Sequence, residues 1–162
     1  FYLSHRSVVR ELIDARERGV PVRVILDPNK DAFGQEKGGR PNRQVAMELK
    51  QADLELRWCA TRGEQCHSKS LLVERGNAQS ELIMGTANFT RRNLDNFNPE
   101  TNVRLLAASD HSVMRDAKAR FDRRWENREG CRHTEPYEAY ADESTLRYWQ
   151  YRFMEATGWS TF

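Results

Sequence analysis

The 162-residue sequence contains no apolar run approaching the ~20 residues that a membrane-spanning helix needs. No stretch reads as a secretory signal either. Cysteine is scarce and odd in number, with Cys59, Cys66 and Cys131 only. That count excludes a complete disulfide framework. Reduced thiols in an intracellular compartment are the expectation, with a single Cys59–Cys66 bridge across a hairpin left open. Apolar residues are also few, at 38%, where globular chains reach about 45–50% on a count that includes glycine. Mean hydropathy is −0.85. The length suits one domain, or one domain with an appendage, around a lean core. Net charge is only +2, which by itself implies no strong affinity for nucleic acid. Its distribution is uneven. Residues 133–162 hold two basic and five acidic side chains, so the preceding residues carry the positive excess. A basic body suits an anionic ligand, although a solvated mixed surface is the simpler reading.

The patterning predicts alternating helices and strands. Ser4 is placed to cap a helix running to Arg18, with Val8, Val9, Leu12 and Ile13 on one face and Gly19 as its stop. Val20, Val22, Val24 and Leu26 alternate as a strand that ends in the turn Asp27-Pro28-Asn29. Residues 28–42 read as a long polar loop, and loops beyond about 12–15 residues are often functional. A helix is expected over Arg43–Gln51, then a strand with Leu54, Leu56 and Trp58 inward. Residues 68–74 and 80–85 form a hairpin around Arg75-Gly76-Asn77, and residues 101–107 form a further strand. Val113, Ala117, Phe121 and Trp125 mark one face of a helix over Asp110–Asn127. Leu146, Trp149 and Phe153 mark another over Ser144–Ala156. This order predicts an α/β fold, with a mixed β-sheet sandwiched between helices. No strand precedes the first helix, which needs one to form a crossover.

The chemistry concentrates in residues 64–103. His67 and Lys69 stand two apart at the head of a strand and share a face. Thr86 and Asn88 follow the next strand with the same spacing, and Glu100 opens a third. A hairpin brings these pairs to one end of the sheet. His67 can act as a nucleophile. Lys69, Thr86 and Asn88 can donate to phosphoryl oxygens, and Glu100 can hold the imidazole in one tautomer. This equipment suits phosphoryl transfer through a phosphohistidine and needs no metal or other cofactor.

The pieces His67-x-Lys69-x4-Glu74, Gly85-Thr86-x-Asn88 and Asn98-x-Glu100 together resemble the phospholipase D superfamily, whose signature is H-x-K-x4-D, then G-S/T-x-N, then an Asn-x-Glu-like segment. The helix and the strand Arg18-Gly19-Val20-Pro21-Val22-Arg23-Val24-Ile25-Leu26-Asp27 look like the unit that precedes the motif in that family. The resemblance covers residues 1–127 as a catalytic half-domain. Residues 128–162 form a C-terminal helical extension. Glu74 stands where the family usually has Asp and is expected to be structural. Ten residues separate Glu74 from Gly85, more than is usual in the family, and fit a longer hairpin tip. The family's site uses two H-x-K motifs, and this chain has one. The resemblance therefore implies a second H-x-K half-domain as partner, from a longer parent chain or a homodimer mate. The start at Phe1 and the missing opening strand favour the carboxyl-terminal half of a longer enzyme.

The expected function is phosphodiester hydrolysis or transfer of the phospholipase D type, on phospholipid. The alternatives are a nuclease of the same superfamily, acting on DNA or RNA, and a non-catalytic half-domain for binding or assembly. Arg91 and Arg92 are candidate substrate-binding residues, and Lys37, Arg40 and Arg43 are candidates for lining the cleft. A zinc site from Cys59, Cys66, His67, Cys131 and His133 is the weaker competing reading, because the spacings are atypical. Trp149, Tyr151, Phe153 and Trp159 could touch a membrane interface, but packing within the protein or on the partner half is favoured. The expected setting is soluble, in the cytoplasm or at a membrane periphery.

Overall fold

The computed structural model describes residues 1–32, 35–36, 38–76 and 78–159. The first helix, α1 (Arg6–Glu17), buries Val9 and half-buries Val8, Leu12 and Ile13. It ends at Arg18, where the chain turns through Gly19 at φ +82°, a conformation that glycine adopts without steric cost. Its cap is His5, not Ser4 as expected. Ser4 is buried instead, because its backbone is bonded on both sides. Its N–H donates to Phe89 O at 2.8 Å, and its carbonyl accepts from Tyr151 Oη at 3.1 Å.

Strand β1 (Arg23–Leu26) pairs in parallel with β4 (Glu55–Cys59), and β4 pairs antiparallel with β8 (Thr134–Pro136). The segment read as a long loop contains two short paired strands, β2 (Asp31–Ala32) and β3 (Gln35–Glu36). Helix α2 (Asn42–Gln51) covers the first sheet with Val45, Ala46 and Leu49, all fully buried. Leu54, Leu56 and Trp58 point inward as the alternation requires. The Trp58 indole donates to Tyr137 O at 2.7 Å. A second sheet is wholly antiparallel, in the order β5 (Ser70–Glu74), β6 (Gln79–Gly85), β7 (Asn102–Ala108). Parallel bridging of Leu3 to Phe89 joins the chain's first residues to the segment after β6. The mixed α/β character is as expected, but the single sheet is divided.

Two helix faces differ from their sequence reading. In α4 (Ser112–Trp125) the buried residue is Met114, and Val113 is exposed. Phe121 and Trp125 stack on each other and receive the Arg23 guanidinium at 5.0 and 5.5 Å. In α5 (Thr145–Thr157) the apolar stripe faces out, with Leu146, Trp149 and Phe153 at 71, 64 and 59% exposure. The buried side is the tyrosine side. Tyr151 bonds Ser4 O, and the Tyr148 hydroxyl reaches Glu48 Oε2 at 3.4 Å. Tyrosines bring apolar bulk together with a group that can satisfy a buried acceptor, so they pack against α1 and α2. Residues 128–162 supply β8 as well as helix. Among the described residues no helix is long and apolar enough to cross a membrane.

This orientation of α5 has a measurable consequence. Tyr151→Ala should cost about 3–5 kcal/mol, in the range of large aromatic truncations. Leu146→Ala should stay within about ±0.5 kcal/mol. Denaturant midpoints at unchanged slope measure both, and equal losses would show that the stripe is buried after all.

Candidate active site

The site lies where the second sheet stops pairing at the end of β6. Gly85 is the last residue there, and only glycine fits. A Cβ at position 85 would lie 2.3 Å from both Thr101 O and Asn102 Oδ1. This close approach lets Thr86 N–H donate to Thr101 O at 3.1 Å, and Gly85 N–H to Lys69 O at 3.3 Å. Lys69, Thr86 and Thr101 therefore lie at one end of the sheet, with His67, Asn88 and Glu100 just beyond them.

His67 and Lys69 are in direct contact. Lys69 Nζ lies 2.9 Å from His67 Nδ1 and 3.0 Å from Nε2, and donates to the His67 carbonyl at 2.8 Å. Lys69 is 7% exposed. The Phe1 ring packs 4.9 Å from the imidazole and 5.4 Å from Lys69 Nζ. Burial lowers the His67 pKa first. The Lys69 ammonium lowers it further, against an opposing pull from Asp27. Burial also lowers the Lys69 pKa, and the Glu100 carboxylate resists that shift. These shifts favour the neutral ring, the form in which an imidazole nitrogen can attack.

Glu100 is placed differently from the expectation that it holds the imidazole. Among the described residues its hydrogen-bond donors are Thr86 Oγ1, Asn93 Nδ2 and Asn98 Nδ2, the last at 2.7 Å. These bonds, with the charge of Lys69, keep it ionised below the usual carboxylate range. Its link to His67 runs through the Lys69 charge. Thr86 gives its one hydroxyl proton to Glu100 and accepts Thr101 N–H at 3.0 Å, so it holds the acid instead of presenting a donor to substrate. The Asn88 Oδ1 accepts Tyr2 N–H at 3.2 Å. That bond fixes the motif segment to the start of the chain.

The candidate arginines divide. Arg91 reaches across to α5, donating to Glu155 O at 3.3 Å and Ala156 O at 3.1 Å, and pairs with Asp95 at 3.6 Å. It thereby stabilises the C-terminal end of α5, where unpaired carbonyls favour a cation. Arg92 is exposed on α3 (Arg91–Leu94). Arg43 turns inward, donating to Pro28 O at 3.1 Å. Arg40 is exposed, and Lys37 lies outside the described residues. Glu74 sits at the far end of β5, paired with Lys118 at 3.0 Å. Asn93 was not anticipated. Its one sequence signal is an amide in the short segment between Asn88 and Glu100.

The thiols also depart from the reduced expectation. Cys59 and Cys66 form a disulfide with Cα atoms 6.2 Å apart, and Cys131 is free and exposed. The pairing takes two of the five residues considered as zinc ligands. Among the described residues no group of three or more His, Cys, Asp and Glu could hold a metal ion.

A divided α/β fold with a histidine–lysine pair where its antiparallel sheet ends defines the class of a phosphodiesterase-type domain. The chain belongs to the phospholipase D-like family, since the family model described as "Cardiolipin synthase, PLD-like domain" matches residues 1–125. No curated protein matches the chain. Among solved structures it is similar to the phospholipase D family member Nuc from Salmonella typhimurium. The two share 19% identity and a TM-score of 0.55 over 83% of this chain and 76% of that one. That likeness concerns the fold.

The His67–Lys69 contact predicts an NMR result. The His67 ring should titrate below the ordinary histidine range. Lys69→Ala, which removes the neighbouring positive charge, should move that titration upward. An unchanged ring titration in the variant would disconnect the two residues.

Proposed function

We propose that this chain supplies the nucleophilic half of a phosphodiesterase site, with phospholipid as substrate. The observation that carries this reading is the contact between His67 and the buried Lys69 ammonium. A neutral imidazole nitrogen beside a fixed cation is suited to attack phosphorus while the cation stabilises the phosphoryl oxygens. In the first step a His67 nitrogen–phosphorus bond forms as the bond from phosphorus to the leaving alkoxide breaks. That alkoxide takes a proton from a histidine of a second H-x-K half-domain, supplied by the same parent chain or by a second copy. Water or an acceptor alcohol then gives that histidine a proton and displaces His67 from phosphorus. Exposed apolar residues on the second sheet, Met84, Val103, Leu105 and Leu106 among them, support a surface that a partner half covers.

A small or lipid diester is favoured over a nucleic-acid strand by the fate of the arginines. Following a phosphate backbone requires a row of free cations. Of the described candidates, Arg91 and Arg43 are committed to carbonyls within the protein, which leaves Arg92 and Arg40 exposed.

The test is an alkaline quench of the protein with phosphatidylglycerol vesicles, bis(p-nitrophenyl) phosphate or single-stranded DNA, followed by mass spectrometry of the His67 peptide. A phosphoryl adduct on His67 from the lipid is expected. In the complete enzyme, with both half-domains present, His67→Ala should remove the adduct and at least ~10³ of kcat. Near-normal turnover in that variant would refute the mechanism, and an adduct from DNA alone would transfer the reading to a nuclease.

A further inference from the structure

Residues 60–69 connect β4 to β5 outside any helix or strand. This irregular stretch carries both His67 and Lys69. Such segments are the ones that open most readily within a folded domain. Here the chain is pinned from two sides at the residue just ahead of the histidine. The Cys59–Cys66 disulfide ties it to the end of β4 across a sequence separation of 7. On the other side the Cys66 N–H donates to Asp27 Oδ2 at 2.7 Å. Asp27 is 2% exposed, directly after β1, and its other oxygen accepts Asn29 N–H at 2.7 Å. Cys59 is buried, whereas Cys66 is half-buried and is the more open sulfur.

We propose that Cys59–Cys66 is a reversible redox site that positions His67, holding the nucleophile segment in place when oxidised and releasing it when reduced by a dithiol. The exchange balances in two steps. A thiolate of the dithiol attacks Cys66 Sγ, the Cys59–Cys66 bond breaks, and Cys59 leaves as a thiolate that takes a proton. The second thiol of the reductant, as its thiolate, then attacks its own mixed disulfide. It forms the reductant's internal disulfide and releases Cys66, which takes a proton in turn. Two electrons pass from the dithiol to the protein, and an oxidant of the disulfide class reverses the transfer. After reduction the Asp27–Cys66 hydrogen bond remains, so the domain keeps its fold while residues 60–69 gain freedom. A removed cross-link restores conformational entropy to the segment it closed.

The experiment compares the full chain before and after dithiothreitol under native conditions. Reactive thiols should rise from Cys131 alone to all three cysteines. Amide exchange should accelerate across residues 60–69 and stay unchanged in β4 and β6. The His67 ring titration should move toward the ordinary histidine value. Turnover of bis(p-nitrophenyl) phosphate should fall about tenfold to a hundredfold in kcat, the scale of an ångström-sized misplacement, and recover on reoxidation. Only this activity arm rests on the phosphodiesterase reading. With the second half-domain present, a protein that loosens at 60–69 without turnover in either state supports the redox site and counts against that reading. Cys59→Ser/Cys66→Ser should behave as reduced protein in either condition, and Cys131→Ser should keep the full response. The reduced wild-type protein makes the same comparison without any substitution. Three reactive thiols before reduction, or unchanged exchange and titration after it, would overturn the proposal.

Discussion

A buried pair of polar side chains, Asp27 and Asn42, is the constraint from which the site-bearing segments hang. Asn42 is fully buried at the start of α2. Its Oδ1 accepts Leu3 N–H at 2.9 Å, and its Nδ2 donates to Asp27 O at 2.8 Å and to Phe1 O. The Asp27 carboxylate accepts Asn29 and Cys66 N–H. One hub thus joins the chain's first residues, the end of β1, the start of α2 and the residue before His67. Leu3 bridges in turn to Phe89, beside Asn88. The three motif segments lie within residues 64–103, and two of them are located by hydrogen bonds that trace back to this hub, which is built from residues far earlier in the chain. Burial raises the Asp27 pKa even though its backbone bonds favour the ionised form. Burying polar groups is tolerable only when nearly every donor and acceptor is satisfied. That requirement gives the hub its geometric definition.

The charges at the site bear on one another in sequence. Glu100 is stabilised by three neutral donors, so it stays anionic without a cation in contact. From there it opposes the loss of charge that burial imposes on Lys69. A charged Lys69 in turn disfavours protonation of His67. Each charge bears on the next, beside the larger effect of desolvation, and the direction is toward a less basic imidazole beside Lys69. In the direct arrangement, with the carboxylate on the ring, the acid would raise the histidine pKa. Here it acts in the opposite direction through the lysine. Protonating His67 therefore works against the folded arrangement as pH falls.

The strands and their inward residues were legible because alternation depends only on local geometry. Leu54, Leu56 and Trp58 illustrate this, as do the hairpin flanks of β5 and β6. The co-location of His67, Lys69, Thr86 and Glu100 was legible for the same reason, since spacing of two on paired strands places side chains at one end. What each polar group touches was not. Whether Arg91 meets substrate or the carbonyls of α5 depends on a helix more than fifty residues away. Whether Glu100 bonds the imidazole or two asparagines depends on how α3 folds back over it. The α5 face was misread because hydrophobicity ranks Leu146 and Phe153 above Tyr148 and Tyr151. The interior there offered carbonyl and carboxylate acceptors, which a hydroxyl can satisfy and a phenyl ring cannot.

The lean apolar content has a different meaning once those faces are placed. The shortage is one of distribution as well as number. Val103, Leu105 and Leu106 of β7 and the Leu146–Phe153 stripe of α5 lie on the outside, so the interior is smaller than composition alone implies. Exposed apolar surface of this kind marks a site of interaction, and phospholipase D-like domains pair as dimers or as two halves. The strand that exposes Val103 begins only two residues after Glu100. A partner that covered β7 would thus reach the rim of the half-site and exclude water from Lys69 more fully.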